Sequence, residues 1–185
     1  MGKYAENFIP LLLNIYGSEE SQNEGIRLAA LETVKVYLKV APKDVTEKLL
    51  EDVTTQLLGE GTSSFQQQGC LDIASILLPW APEVKLNSIL ERCRQFWTSK
   101  DHSLQKKSYR FLEELMMNEQ KHIVDYVKKN VDALKKALME SACESKSPSK
   151  PARLRCFACL IKLPNDPDKE WMKAVFPEVN AVKSI

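Results

Sequence analysis

Long apolar runs are missing from this sequence, and so are the short motifs of the commonest catalytic sites. No apolar stretch approaches the roughly 20 residues that crossing a bilayer requires, so we expect no membrane partner. The Gly-x-Ser-x-Gly, His-Glu-x-x-His and protein-kinase patterns are absent. Glu113 and Glu114 are adjacent, so on a helix their carboxylates do not converge as an acid/base pair. The sequence therefore predicts a protein that is not an enzyme, with no cofactor, metal or small-molecule substrate.

Histidine is scarce, with two residues, and this bears on a cysteine pair that has the spacing of a metal or redox motif. Cys156 and Cys159 would need a second pair of zinc ligands, which neither His102 nor His122 is spaced to supply. Both cysteines lie inside an apolar helical pattern, whereas redox pairs occur where a helix begins after a strand. We expect them to be buried core thiols, and the five cysteines, an odd number, suit a reduced cytosolic or nuclear protein.

The charges of the chain nearly balance, but they are unevenly distributed. The whole chain carries +1 at pH 7. Residues 1–99 contain 9 Lys+Arg and 13 Asp+Glu, a net charge of −4, whereas residues 100–185 contain 17 and 12, a net charge of +5. A basic C-terminal half indicates one surface that faces a polyanion, although ordinary solvated helix faces explain the same difference equally well.

Apolar residues recur at three- and four-residue spacing along most of the chain, and no segment shows the alternation that is typical of a strand. The pattern predicts an all-α protein with about nine helices. They cover residues 4–16, 25–40, 44–58, 64–78, 82–97, 101–117, 118–139, 151–163 and 167–182. Asp44 and Glu47 have the spacing of a capping box at the start of the third helix. Residues 141–150, rich in Pro, Ser and Lys, predict a mobile loop.

A small residue followed by a large apolar one recurs on alternate helices. The pairs are Ala30-Leu31, Cys70-Leu71, Ser108-Tyr109 and Cys156-Phe157. The small residues lie at positions 30, 70, 108 and 156, so the intervals are 40, 38 and 48 residues. The small side chain lets a facing helix approach closely, and the large one fills the groove between successive units. Periods near 40 with two helices per unit are typical of HEAT repeats, which predicts an α-solenoid of antiparallel helix pairs.

The whole chain, residues 1–185, is predicted to form one array of four to five such repeats. The units cover residues 3–40, 43–79, 82–117 and 119–163, with a partial unit at 167–185. The first and last helices are rich in large apolar residues and lack the polar outer face of a capping unit. We therefore expect the array to be a piece of a longer solenoid.

Two clusters of basic residues are the candidates for contact with a partner. They are Lys106, Lys107 and Arg110 on the polar face of the sixth helix, and Lys150, Arg153 and Arg155 where the eighth helix begins. Because these helices are equivalent members of successive units, we expect both clusters on one edge of the array. Exposed cations suit the phosphates of RNA or an acidic protein segment. Between them, Ser147-Pro148 has the sequence of a proline-directed phosphorylation site, a motif short enough to arise by chance.

Three stretches of the chain resemble a known family. They are AENFIPLLLNIY at 5–16, HSLQKKSYRFLEE at 102–114 and SPSKPARLR at 147–155. In this order and at about these distances they resemble the ribosomal RNA processing protein twelve (RRP twelve-like) family of HEAT-repeat proteins. The likeness covers essentially the whole chain, and the Gln-Lys-Lys-Ser-Tyr-Arg block at 105–110 is its most specific part.

The resemblance implies that the chain is an internal segment of a much longer solenoid of the nucleus and nucleolus. It implies a scaffold in the assembly and export of pre-ribosomal particles, mainly the small-subunit precursor. Its partners would be pre-ribosomal RNA and assembly-factor proteins, with the nuclear transport machinery as a further partner.

Two other functions fit the same residues. A protein-only adaptor, similar to a transport receptor, would bind helices or extended peptides in the groove of the solenoid through apolar rim residues. A regulatory solenoid for a kinase or phosphatase is supported by fold analogy alone.

Overall fold

Helix is the only regular structure in the residues that the computed structural model describes, which are 2–17, 23–142 and 145–163. The helices are α1 (Gly2–Gly17), α2 (Glu24–Leu38), α3 (Lys43–Leu58), α4 (Ser64–Leu77), α5 (Glu83–Trp97), α6 (His102–Met117), α7 (Lys121–Lys129), α8 (Val131–Glu140) and α9 (Lys150–Lys162). A short 3-10 turn, Leu78–Trp80, follows α4. The all-α class predicted from the sequence is therefore confirmed.

The helix boundaries agree with the predicted ones to within a few residues, with one exception. The predicted helix at 118–139 is two helices, α7 and α8, which meet at Asn130. The side-chain amide of Asn130 donates a hydrogen bond to the carbonyl of Tyr126 at 2.8 Å, and its backbone N–H bonds to the same carbonyl at 3.1 Å. Asparagine competes for backbone groups in this way and so interrupts a helix. The predicted ninth helix, at 167–182, lies outside the described residues.

The chain divides into two compact units, Met1–Ile89 and Leu90–Ile185. In the first unit, α1 packs on α2 and α3 packs on α4. In the second unit, α6 packs on α9, and α7 and α8 pack beside them. The single array of repeats over residues 1–185 stays a prediction, because this division follows compactness and not repeat units.

The four small residues of the predicted repeat are all buried. They are Ala30, Cys70, Ser108 and Cys156, and none is more than 5% exposed. The predicted close approach is seen directly between α6 and α9, where the Cys156 thiol donates a hydrogen bond to the carbonyl of Tyr109 over 3.1 Å. A longer side chain at 156 would force the two helices apart, since there is no space between the thiol and the backbone.

A long polar residue lies three positions before each small one, a feature that the sequence analysis missed. These residues are Arg27, Gln67, Gln105 and Arg153. Three of them donate hydrogen bonds to a carbonyl in the last turn of another helix, and the acceptors are Tyr16 of α1, Trp97 of α5 and Leu138 of α8. Carbonyls at helix ends have no partner within their own helix. The long polar residue therefore satisfies a group that burial would otherwise leave unpaired.

The capping box lies on α4 rather than on α3. Ser63 accepts a hydrogen bond from the backbone N–H of Gln66 at 3.3 Å, and the Gln66 side chain accepts one from the backbone N–H of Ser63 at 3.0 Å. The capping box predicted for Asp44 and Glu47 is wrong. Because α3 begins one residue earlier, at Lys43, Asp44 lies inside the first turn and makes no capping bond.

Ser63→Ala removes the hydroxyl that caps α4, and we expect the free energy of unfolding to fall by about 1 kcal/mol. Asp44→Ala is the matched control, and its effect should stay below about 0.5 kcal/mol, because the carboxylate interacts only with the dipole of α3. Urea denaturation followed by circular dichroism measures both changes. Equal losses in the two variants would contradict the assignment of the caps.

Candidate nucleic-acid interface

The helix α6 presents three of the predicted basic residues away from its packed side. Asp101 fixes where the helix begins, because its carboxylate accepts hydrogen bonds from two backbone N–H groups of the first turn at 2.8 and 3.1 Å. With that start, Lys106 and Lys107 are partly exposed and Arg110 is exposed. Lys106 and Arg110 lie four residues apart, so they share one side of the helix.

The start of α9 contributes two more exposed cations. Lys150 is exposed at the first position of the helix. Arg155 is exposed one turn later, and its Nε lies 2.9 Å from each carboxylate oxygen of Glu113 on α6. The side chain of Arg155 is 46% exposed and that of Glu113 17%, so solvent screens part of this ion pair and its contribution to stability is modest. It does, however, hold the Arg155 side chain against α6, so that the cations of the two helices lie on adjoining elements.

Arg153 is buried, so the prediction that it contacts RNA from an exposed position is wrong. It is 2% exposed, and its Nε and Nη2 donate to the carbonyl of Leu138 at 2.9 and 2.8 Å. Its guanidinium lies 5.0 Å from the centre of the Phe157 ring. The helical period contained this signal, since Arg153 precedes Phe157 by four residues and Leu160 by seven, and both are buried. A cation is also favourable at the C-terminal end of α8.

Gln105 joins the start of α6 to the segment that precedes α9. It is fully buried, and its Nε2 donates to the carbonyls of Trp97 and Ser99, both at 2.9 Å. Its Oε1 accepts a hydrogen bond from the backbone N–H of Lys146 at 3.0 Å. The hydroxyl of Ser149 donates to the carbonyl of His102 over 3.0 Å. Two independent hydrogen bonds thus hold residues 145–149 against the first turn of α6.

Tyr109 also attaches Ser141 and Ser145 to α6. Its ring stacks on Trp97 with centroids 5.3 Å apart, and its hydroxyl bonds to the hydroxyls of Ser141 at 3.0 Å and Ser145 at 2.9 Å. Burial raises the pKa of the Tyr109 hydroxyl, although its hydrogen bonds act in the opposite direction. The described residues of the loop predicted at 141–150 are non-helical up to Ser149, and buried serine hydroxyls attach them to α6. The mobility of this loop stays a prediction.

These contacts attach the segment that precedes α9 to the first turn of α6, and the predicted grouping of the two basic clusters on one edge stays a prediction. Lys146 bonds to Gln105, the neighbour of Lys106, and Ser149, the neighbour of Lys150, bonds to the first turn of α6. We call the exposed and partly exposed cations of α6 and of the start of α9 the basic surface. It consists of Lys106, Lys107, Arg110, Lys150 and Arg155.

Cys156 and Cys159 are free thiols, and the described residues form neither a disulfide nor a metal site with them. Cys156 is buried and Cys159 is partly buried, and burial raises the pKa of both thiols. Cys70 and Cys93 are buried as well. Within the described ranges, no three His, Cys, Asp or Glu residues are grouped so that they could hold a metal ion. None of the described helices is long and apolar enough to cross a membrane.

The first unit contains a groove. It has a volume of about 890 Å³ and is lined by residues of α1, α3 and α4, among them Ile9, Leu13 and Leu49. Arg27 lies at its edge, 4.8 Å from the centre of the Tyr16 ring and 4.4 Å from that of Phe65. The lining combines apolar side chains with two basic residues, Arg27 and Lys48, and two acidic ones, Asp44 and Asp52. A lining of this mixed character suits an amphipathic peptide better than it suits a phosphate backbone, which the two carboxylates would repel.

Arg153→Met and Arg155→Met compare the contribution to stability of a buried arginine with that of an exposed arginine two residues away. We expect the first change to lower the free energy of unfolding by about 2 kcal/mol, since the carbonyl of Leu138 loses two charge-assisted hydrogen bonds. The second should cost less, about 1 kcal/mol, because solvent reaches the Arg155 side chain and screens part of its ion pair with Glu113. Urea denaturation of both variants checks this, and a larger loss for Arg155→Met would refute the placement of Arg153.

The chain is similar along nearly all of its length to proteins that are seven times longer. An RRP12-like protein from Homo sapiens is 32% identical over 181 residues, which cover 97% of this chain and 14% of that protein. An RRP12-like protein from Gallus gallus is 30% identical with the same coverage. A third, from Drosophila melanogaster, is 30% identical over 178 residues, 87% of this chain and 13% of that protein. No family model matches the chain.

A solved structure supports the fold. A crystal structure of an engineered protein from the Northeast Structural Genomics Consortium aligns with 94% of this chain and 67% of its own, with a TM-score of 0.50 and 18% sequence identity. At this identity the likeness concerns the fold alone. Together with the helices described above, it confirms the predicted α-solenoid class.

Proposed function

Because the chain belongs to the RRP12-like family and spans about 14% of its relatives' length, we propose that it is part of a non-enzymatic scaffold for ribosome assembly. In this role it acts in the nucleus and nucleolus on the small-subunit precursor and contributes to its export. Its partners are pre-ribosomal RNA, assembly-factor proteins and the nuclear transport machinery.

The observation that carries this proposal is the basic surface. Phosphate contacts require exposed cations at a fixed spacing, and they need no particular base sequence. The hydrogen bonds of Gln105 and Ser149 hold the segment before Lys150 against the first turn of α6, which Lys106 follows directly. Five cations on two adjoining helices suit the backbone of one folded RNA strand, which carries a negative charge at every nucleotide.

Lys106→Glu combined with Lys107→Glu should weaken binding of the chain to a single-stranded RNA oligonucleotide at least tenfold. The slope of log K against log salt should flatten by about 1.4, since each lost phosphate contact on single-stranded RNA removes about 0.7. Fluorescence anisotropy at four or more salt concentrations measures both quantities, and circular dichroism checks that the variant is folded.

Lys39→Glu combined with Lys43→Glu is the matched control. Both lysines are exposed in the first unit, and the change in net charge is the same as in the test variant. RNA binding that falls equally in the two variants would mean that net charge alone decides affinity. Unchanged affinity and slope in the α6 variant would rule out the basic surface as an RNA site.

A second candidate function, a protein-only adaptor, is supported by the groove of the first unit. Its lining mixes apolar side chains such as Leu13 and Leu49 with charged ones such as Lys48 and Asp52, which suits an amphipathic helix or an extended peptide. Crosslinking of the long protein within assembling particles, followed by mass spectrometry, separates the two functions. Peptide crosslinks to the groove without RNA crosslinks to α6 or α9 would favour the adaptor, and RNA crosslinks to α6 and α9 would favour the scaffold that binds RNA.

A further inference from the structure

We propose that Ser147 is a phosphorylation site for a proline-directed kinase, and that its phosphate weakens the hold of the basic surface on polyanions. The phosphorylation of Ser147 does not depend on the proposed function, since it concerns the acceptor residue and not RNA. The effect of the phosphate on the basic surface rests on the proposed function.

The sequence around Ser147 offers one acceptor and no competitor. Ser147-Pro148 is the single place in the 185 residues where Ser or Thr precedes Pro. Lys150 follows the acceptor by three residues, a position where a basic side chain favours the cyclin-dependent class of proline-directed kinases. A kinase of this class would therefore modify the chain once.

The residues on either side of Ser147 keep it at the protein surface. It lies with Pro148 in an exposed turn, whereas Ser145 and Ser149 on either side are buried. The buried hydroxyls bond to Tyr109 and to the carbonyl of His102, at 2.9 and 3.0 Å. Attachment on both sides keeps the acceptor at the surface and the two flanking serines out of reach.

A kinase binds its substrate in an extended form, so the turn must open before phosphate transfer. Four hydrogen bonds close the turn and attach it to α6. The Ser149 and Lys150 N–H groups bond to the Lys146 carbonyl at 2.8 and 3.2 Å, the Ser149 hydroxyl bonds to His102, and the Lys146 N–H bonds to Gln105. The apolar side chains between α6 and α9 lie on other residues, among them Phe111 and Phe157. Opening of the turn therefore breaks these hydrogen bonds and leaves the apolar packing between α6 and α9 in place.

The phosphate would change the charge of the basic surface directly. It brings a charge of about −1.5 to −2 at neutral pH. Ser147 lies between Lys146 and Lys150, both exposed, so the new charge lies within the roughly 8–10 Å over which salt leaves interactions unscreened. A nucleic acid phosphate that approaches Lys150 would then meet repulsion as well as attraction.

Treatment of the folded chain with a recombinant cyclin-dependent kinase and ATP tests the acceptor. In this reaction the Ser147 hydroxyl takes the γ-phosphoryl group, and ADP leaves. Intact-mass spectrometry should show one added phosphate, which peptide mapping places on Ser147, and Ser147→Ala should show none. Ser149→Ala should be modified at least as fast as the unaltered chain, because it loosens the turn. No phosphate on Ser147, or equal labelling of Ser147→Ala, overturns the inference.

Binding of the purified phosphorylated chain to heparin and to RNA tests the effect. We expect at least a threefold loss of affinity for both, together with a flatter salt dependence, and treatment with phosphatase should restore both. Unchanged heparin and RNA affinity in a fully phosphorylated chain would overturn the regulatory half. If the unmodified chain binds heparin but not RNA, the proposed function fails. In that case the phosphorylation of Ser147 and the change in heparin affinity on phosphorylation still test this inference.

Discussion

The hydrogen bond from a long polar side chain to the last turn of another helix is the interaction on which the second unit depends. Helix ends leave four carbonyls without partners, and a buried carbonyl without a partner is costly. Gln105 donates a hydrogen bond to the carbonyl of Trp97 at the end of α5, and Arg153 donates one to the carbonyl of Leu138 at the end of α8. Each therefore determines where a helix can end against its neighbour, and both lie three residues before the small residue that permits close packing.

The basic surface follows from this arrangement. The contact of Cys156 with the backbone of Tyr109 fixes which side of α9 faces α6. In this orientation Arg153 is buried and Arg155 faces solvent. The Arg155 side chain then meets Glu113 on α6. The cations that face solvent are thus positioned by apolar and polar contacts beneath them, and the family resemblance enters only when a partner is assigned to them.

Much of the fold was predictable from the sequence, because helical periodicity and the small residues are local and repeated signals. Ala30 and Cys156, for example, are buried as their positions in the repeat require. The segment at 141–150 was not predictable from composition, since Ser and Lys favour exposed loops in general. Its attachment depends on Tyr109 and Gln105, which are more than thirty residues away in sequence, and only the tertiary structure brings them together.

Arg153 was missed for a different reason. Its place on the apolar face of α9 could be found from its spacing to Phe157, but a charged residue near other charges suggests an exposed cluster. The recurrence of Arg or Gln three positions before the small residue was the stronger signal, because a polar residue at a fixed position in a repeat indicates a buried partner. Of the six residues predicted to contact a partner, five are exposed or partly exposed and Arg153 is buried.

Density for the long RRP12-like protein in an assembling small ribosomal subunit tests the central claim most directly. The account predicts RNA phosphates within hydrogen-bond distance of Lys106 and Lys150, with Arg153 enclosed behind them. If these two lysines face solvent or a protein while RNA lies against another surface, the claim that this unit holds RNA through α6 and α9 is contradicted.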